Sequence, residues 1–182
     1  PNAHAPWYIQ GLALFWAGQK DKAQSYFTKA IEMGRKTGDV FFFRAMAGLS
    51  AGQPDDVLND INKAISDSRT ADQLVKQDQK KGYPVSNAIR QDFYTRLYYL
   101  RANVLNTNFQ RYDEALADIN HAIDSSVRKN SLHYRERGDI YYLKKQFDQA
   151  YLDYRQAVEL EPDMAKTWSA MGQSALYLGR YR

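Results

Sequence analysis

The sequence predicts an all-α fold built from repeated helix pairs. Small residues recur 34 positions apart, since Gly11 precedes Ala45, and Gly138 precedes Gly172, by that distance. Apolar and aromatic residues recur at helical spacing along the chain. Proline and glycine are scarce, with 5 and 10 among 182 residues, which favours helices over a turn-rich sheet.

The composition excludes several classes of function. The chain has no cysteine, which removes disulfides, thiolate zinc sites and cysteine nucleophiles. It has 25 Lys and Arg against 21 Asp and Glu, a net charge of +4 spread evenly, so we expect no nucleic-acid partner. No apolar run approaches the roughly 18 residues of a membrane span. Cytoplasmic and periplasmic or other extracytoplasmic locations are equally compatible with these features.

Several segments carry copies of one pattern. The clearest copy has Tyr134, Gly138, Tyr141, Phe147, Ala150, Tyr154, Ala157 and Pro162. The first copy has Trp7, Gly11, Gly18, Ala23, Phe27 and Ala30, and a later one begins with Trp168, Gly172 and Gly179. In this pattern the sequence resembles the tetratricopeptide repeat (TPR) family over nearly its whole length. The resemblance implies a solenoid of antiparallel helix pairs wound into a right-handed superhelix.

The copies set the expected domain organisation, a single array over residues 1–182. We place repeats at 4–37, 38–71, 95–130 and 131–164, with a partial repeat at 165–182. Neither end provides the polar capping repeat expected where a solenoid terminates. We therefore expect the sequence to be an excerpt of a longer array.

An insertion of about two dozen residues, at about 66–94, separates the second and third repeats. Ala45 and Ala102 are 57 positions apart instead of 34. Apolar residues continue at helical spacing on both sides of it, so we expect an extended helical hairpin with Gly82, Tyr83 and Pro84 at its tip. Each arm would be about a dozen residues longer than normal and would project roughly 18 Å.

Arginine and aspartate occur together within the repeats. The arginine directly precedes the small residue of the first helix, and the aspartate lies four positions before the alanine of the second. The predicted pairs are Arg44 with Asp60, Arg101 with Asp118, and Arg137 with Asp153. We interpret them as structural ion pairs that brace two helices, since a guanidinium–carboxylate fork suits a partly buried site. A row of arginines that binds anionic ligands is the alternative.

The family resemblance also implies a concave groove, lined by the first helices, that holds a peptide. Its positions in this sequence are Tyr8, Ile9, Leu12, Phe15, Trp16, Phe42, Phe43, Met46, Tyr99, Asn103, Arg135 and Asp139. The first two repeats contribute apolar and aromatic residues and the fourth contributes charged ones. Packing against an upstream repeat is the alternative explanation of the apolar end. The residues that grip a chaperone C-terminus in this family are mostly absent, so that ligand is not expected.

No catalytic motif is present. The three histidines lack metal-ligand spacing, and no phosphate loop, nucleophile–base set or paired-carboxylate cleft occurs. The sequence therefore predicts no enzyme activity, no catalytic residue, no metal and no cofactor.

The sequence favours a protein-interaction scaffold whose partner is a protein or peptide. The alternative is an accessory region of a larger export or enzyme assembly, in contact with polysaccharide. Contact with further repeats of a parent chain and self-association through apolar ends also stay open.

Overall fold

The computed structural model describes residues 3–50, 53–80 and 88–179. Within those ranges the chain forms nine α-helices and no strand, which confirms the all-α prediction. The helices are α1 (Ala5–Trp16), α2 (Lys20–Glu32), α3 (Gly38–Gly48), α4 (Pro54–Lys80), α5 (Ala88–Phe109), α6 (Tyr112–Ser125), α7 (Ser131–Leu143), α8 (Phe147–Leu160) and α9 (Ala165–Tyr177). None of these helices is both long enough and apolar enough to cross a membrane.

The helices belong to two compact units. Unit 1 is Pro1–Ser86 and contains α1 to α4, and unit 2 is Asn87–Arg182 and contains α5 to α9. In unit 1 each helix packs on the next, and α1 also contacts α3. In unit 2 each helix again packs on the next, and α5 also contacts α7. The alternate helices that meet in this way, α1 with α3 and α5 with α7, are the first helices of the predicted repeats.

Each unit has its own apolar core. In unit 1 the side chains of Phe27, Val40 and Ile61 are completely buried. In unit 2 Leu97 and Ile119 are completely buried as well. Small residues complete both cores and allow the helices to approach closely: Ala23, Ala30, Ala47, Ala64, Ala102, Ala115, Ala122, Ala150 and Ala157.

Short polar segments begin several helices. The side chain of Asn130 accepts a hydrogen bond from the backbone N–H of Leu132, which caps the first turn of α7. Asp113 and Glu114 lie in the first turn of α6, where negative charge is stabilised by the helix dipole. These local signals fix where the second helix of a pair and the first helix of the next pair begin.

The predicted insertion is helical wherever it is described. Helix α4 has 27 residues and α5 has 22, whereas the other helices have 11 to 14. The extra length lies at the end of α4 and the beginning of α5, as the sequence predicts. The expected tip, Gly82 to Pro84, lies outside the described residues. The repeat boundaries and the single array stay predictions.

A ring of the second helix packs directly on a glycine of the first. A methyl group added to Gly11 would lie 2.7 Å from the ring of Phe27, and one added to Gly138 would lie 2.8 Å from the ring of Tyr154. Real Cβ atoms do not approach other atoms so closely, so only glycine permits these contacts. The glycines therefore set the distance between the two helices of a pair.

Substituting Gly11→Ala is expected to destabilise the protein by about 1–3 kcal/mol, because the new methyl overlaps the Phe27 ring. Urea unfolding measures the effect. Phe27→Leu in the same chain removes the ring atoms in contact, so the double variant should lose less stability than the sum of the two single variants. Additive losses would contradict this contact.

Candidate functional site

The three predicted arginine–aspartate pairs are present and share one geometry. In each, the guanidinium Nε and Nη2 groups donate to the two carboxylate oxygens of the aspartate at 2.7–2.8 Å. The arginine side chains are about one-fifth exposed and the aspartates are nearly buried. The hydrogen bonds to aspartate raise the pKa of Arg101 and of Arg137 above that of a free guanidinium.

Two of these arginines also reach a third helix. Arg44 of α3 donates through Nη1 to the hydroxyl of Thr28 on α2, at 3.3 Å. Arg137 of α7 donates through Nη1 to the side-chain oxygen of Asn120 on α6, at 2.8 Å. Each of these arginines therefore ties its own helix pair to the preceding second helix. The guanidinium groups of these arginines therefore make hydrogen bonds that hold the helices together.

Four aromatic rings meet on unit 1 where α1 contacts α3. We call Phe15, Trp16, Phe42 and Phe43 the aromatic cluster. The ring of Phe43 lies 5.5 Å from Phe15, 6.4 Å from Trp16 and 5.4 Å from Phe42 between centroids. Beneath it, Phe43 stacks on the buried ring of Phe27 at 6.0 Å. The cluster is therefore anchored in the core.

The same cluster is open to solvent at its outer side. Trp16 is 75% exposed, and Ile9, two helical turns earlier on α1, is 65% exposed. Phe15, Phe42 and Phe43 are half-buried. Helix α1 contains no charged residue at all. An exposed helix with large apolar side chains and no charge is unusual for a surface that faces only water.

The remaining predicted residues of unit 1 lie beside this cluster. Leu12 and Met46 are half-buried. Tyr8 has a structural environment instead: its hydroxyl donates to Asp39 of α3 at 2.7 Å, and the guanidinium of Arg35 lies 3.7 Å from its ring centre. Burial and the Asp39 hydrogen bond raise the pKa of Tyr8. Tyr8 therefore links α1 to α3, and its hydroxyl and ring are already in contact with Asp39 and Arg35.

Two predicted residues of unit 2, Tyr99 and Asn103, contact side chains of α7. Asn103 and Asn106 of α5 both donate to the carboxylate of Glu136 on α7, at 3.0 Å. Glu136 is only 2% exposed, so this side chain is a buried bridge between first helices. The ring of Tyr99 lies 5.2 Å from that of His133, which is also buried. The two charged residues predicted for the groove, Arg135 and Asp139, are half-buried.

Asp139 has an environment that the sequence did not reveal. Its carboxylate accepts a hydrogen bond from the hydroxyl of Tyr154 at 2.8 Å. Burial raises the pKa of Asp139 to about 6, and the nearby charge of Glu136 adds to the increase. The one feature of the sequence that points to this raised pKa is the spacing of Glu136 and Asp139, because residues three apart share a helix face and two carboxylates there repel each other.

Comparison with known proteins agrees with this architecture. A family model described as tetratricopeptide repeat matches residues 5–36, and one described as TPR repeat matches residues 138–179. The chain is a tetratricopeptide repeat protein. A comparison with curated proteins gave no match.

Several solved structures share the TPR fold with this chain. MamA from Desulfovibrio magneticus RS-1 is 12% identical with a TM-score of 0.74, and the match covers 97% of this chain and 85% of MamA. YrrB, titled a TPR protein with an unusual peptide-binding site, is 18% identical with a TM-score of 0.73, covering 93% and 74%. PilF of Pseudomonas aeruginosa is 16% identical with a TM-score of 0.71, covering 98% and 70%.

The TPR fold is a scaffold for protein–protein interaction. In the ranges that the structure describes, no three His, Asp or Glu side chains are grouped so that they could hold a metal ion. Among the predicted groove residues, Ile9 and Trp16 are the large apolar side chains that this part of the chain leaves exposed.

Substituting Arg137→Ala is expected to destabilise the TPR fold by about 1–3 kcal/mol, because it leaves the nearly buried carboxylate of Asp153 without its partner. Chemical denaturation measures the loss. Arg155→Ala is the matched control, since Arg155 is 55% exposed and lies 3.5 Å from Glu159 in a surface pair that should contribute under about 0.5 kcal/mol. Equal effects of the two substitutions would contradict the bracing role.

Substituting Asp139→Asn is expected to stabilise the protein at high pH. In the folded protein the pKa of Asp139 is raised to about 6, so the ionised carboxylate opposes folding above that pH. Near pH 3 the carboxyl group is protonated in both the folded and the unfolded protein, so its ionisation does not affect stability there. The variant should therefore gain up to about 2 kcal/mol over the native chain near pH 8 and little near pH 3. Thermal unfolding across this pH range measures the difference, and a gain at low pH only would contradict the assignment.

Proposed function

We propose that the chain is a non-catalytic scaffold that binds an apolar or amphipathic segment of another protein on the aromatic cluster. The observation that carries the proposal is the helix α1, which is charge-free yet exposes Trp16 and Ile9. Exposed apolar patches of this kind characterise protein-interaction sites. YrrB, which has the same fold, is titled as having a peptide-binding site, which favours a peptide-like partner.

The geometry of the cluster suits the binding of such a segment. Phe43 stacks on the buried Phe27, so the cluster has a rigid base. Trp16 stands out from this base with three-quarters of its surface free to contact a partner. Rigid aromatic side chains of this type contribute much of the binding free energy at protein interfaces. Apolar burial contributes about 25 cal/mol per Å², so the interaction should depend little on salt.

The predicted groove residues differ in how far they are exposed and in whether they are already bonded within the protein. Trp16 and Ile9 are exposed, whereas the hydroxyl of Tyr8 is hydrogen-bonded to Asp39. In unit 2 the equivalent positions are occupied by the bonds of Asn103 to Glu136. We therefore assign the principal contact to unit 1.

Panning a random-peptide phage library on the full chain, followed by fluorescence anisotropy with a selected peptide, tests the proposal. Trp16→Ala should weaken binding by at least about tenfold, as expected for a tryptophan at the centre of an interface. Trp168→Ala is the control, since Trp168 is 47% exposed but lies on α9 in unit 2. Affinity should change by no more than about threefold between low and high salt, because no charge pair is involved.

Two results would overturn the proposal. The first is peptide binding that is weakened by Trp168→Ala and unchanged by Trp16→Ala. The second is a concentration-dependent dimer, detected by light scattering, that Trp16→Ala dissociates, because the cluster would then bind a second copy of the chain.

A further inference from the structure

A cavity of about 490 Å³ lies in unit 2, between the first turns of α5 and the segment that leads into α7. Its described lining residues are Asp92, Thr95, Arg96, Ser126, Val127, Arg128, Lys129, Asn130 and His133. Helix α5 begins at Ala88, within the predicted insertion, so its extra turns supply one wall of the cavity. The volume is in the range of small-ligand sites. The proposed protein-binding surface uses none of these residues.

The cavity carries an excess of positive charge. Arg128 and Lys129 have no ion-pair partner among the residues that the structure describes. Arg96 is paired with Asp92 at 2.9 Å, and this carboxylate is the only acidic side chain of the described lining. Burial lowers the pKa of His133, which favours the neutral ring and adds no cation to the three. Three cations against one carboxylate attract an anion.

The cavity wall also contains a buried hydroxyl with no partner. Thr95 is 6% exposed, and within the described structure its Oγ1 atom makes no hydrogen bond. Buried polar groups are almost always satisfied, so an unpaired hydroxyl beside a cavity indicates a missing ligand atom. This observation is independent of the charges, because Thr95 is neutral and lies on α5, whereas Arg128 lies in the segment before α7.

The other polar groups are donors of the kind that bind a tetrahedral oxyanion. Asn130 uses its side-chain oxygen to cap α7, which leaves its amide N–H groups for a ligand. The N-terminus of α7, a helix of 13 residues, favours negative charge at the same place. A planar carboxylate has two oxygens, whereas a phosphate monoester presents three terminal oxygens and up to two negative charges to such a set.

We propose that this cavity binds a phosphate monoester group. The cations Arg128 and Lys129 neutralise its charge, and the Thr95 hydroxyl donates to one of its oxygens. The chemistry is the same for a small phosphorylated molecule and for a phosphorylated side chain of a protein. The inference does not rest on the proposed function, because the two sites lie in different units and use different forces.

Calorimetric titration of the full chain with a capped phosphoserine (N-acetyl, C-amide) and with inorganic phosphate tests the proposal. Arg128→Gln should weaken the binding of capped phosphoserine by about tenfold, as expected for losing one charge-assisted contact. Thr95→Val should also weaken it, without lowering the thermal unfolding midpoint, because the hydroxyl has no partner in the protein. Arg155→Gln is the control, since Arg155 is an exposed arginine of α8 that pairs with Glu159. In NMR spectra the His133 ring signals should move on titration, and those of His4 and His121 should not.

The arms of the experiment separate the two sources of phosphate. If inorganic phosphate binds as tightly as capped phosphoserine, the ligand is a small phosphorylated molecule. If capped phosphoserine binds more tightly, the ligand is a phosphorylated side chain. The proposal is overturned if neither probe moves the His133 signals, if capped glutamate binds as well as capped phosphoserine, or if Arg155→Gln weakens binding as much as Arg128→Gln.

Discussion

The contact between a glycine of the first helix and a ring of the second sets the geometry on which the rest of each unit depends. It occurs in both units with the same spacing, since Phe27 follows Gly11, and Tyr154 follows Gly138, by 16 residues. Because no methyl group fits between them, the helix axes are held closer than other residues would permit. The positions of the surface side chains on α1 and α7 follow from this distance.

The first helix pair is joined by an aromatic contact where later pairs have an arginine brace. Where later repeats pair arginine with aspartate, the first has Gln10 and Tyr26. There the ring of Tyr26 contacts Trp7 of α1 at 5.6 Å, so an aromatic contact takes the place of the ion pair. With glutamine at the arginine position, α1 has no charged side chain.

The periodic features were predictable from the sequence because they are local and repeated. The helices follow from spacing of apolar residues, and each arginine–aspartate pair lies within one helix pair, at 16 or 17 residues of separation. The contacts of Arg44 with Thr28 and of Arg137 with Asn120 were not predictable in the same way. They join one pair to the preceding one. Each partner lies two positions before the alanine of the preceding second helix, Thr28 before Ala30 and Asn120 before Ala122, but the residue type differs, so the position is regular and the hydrogen bond is not evident from a repeated residue.

The properties of the candidate sites depend on burial, which the sequence does not specify residue by residue. Glu136 lies on α7 next to the predicted groove residue Arg135, yet it is buried and accepts hydrogen bonds from Asn103 and Asn106. The raised pKa of Asp139 depends on the Tyr154 hydroxyl and on neighbouring packing. The cavity beside Thr95 is formed by α5 and the loop before α7. Its shape depends on how these two segments pack in the folded protein, which the sequence alone does not give. Only the apolar character of the α1 surface could be read directly from composition.

The most direct measurement of the central claim is fluorine NMR of the full chain labelled with 5-fluorotryptophan and titrated with a library-selected peptide. Its three tryptophans report on separate places, since Trp7 and Trp16 lie on α1 and Trp168 lies on α9. If the partner binds the aromatic cluster, the Trp16 signal shifts strongly while the Trp168 signal stays unchanged. A shift of the Trp168 signal with an unchanged Trp16 signal would contradict the account.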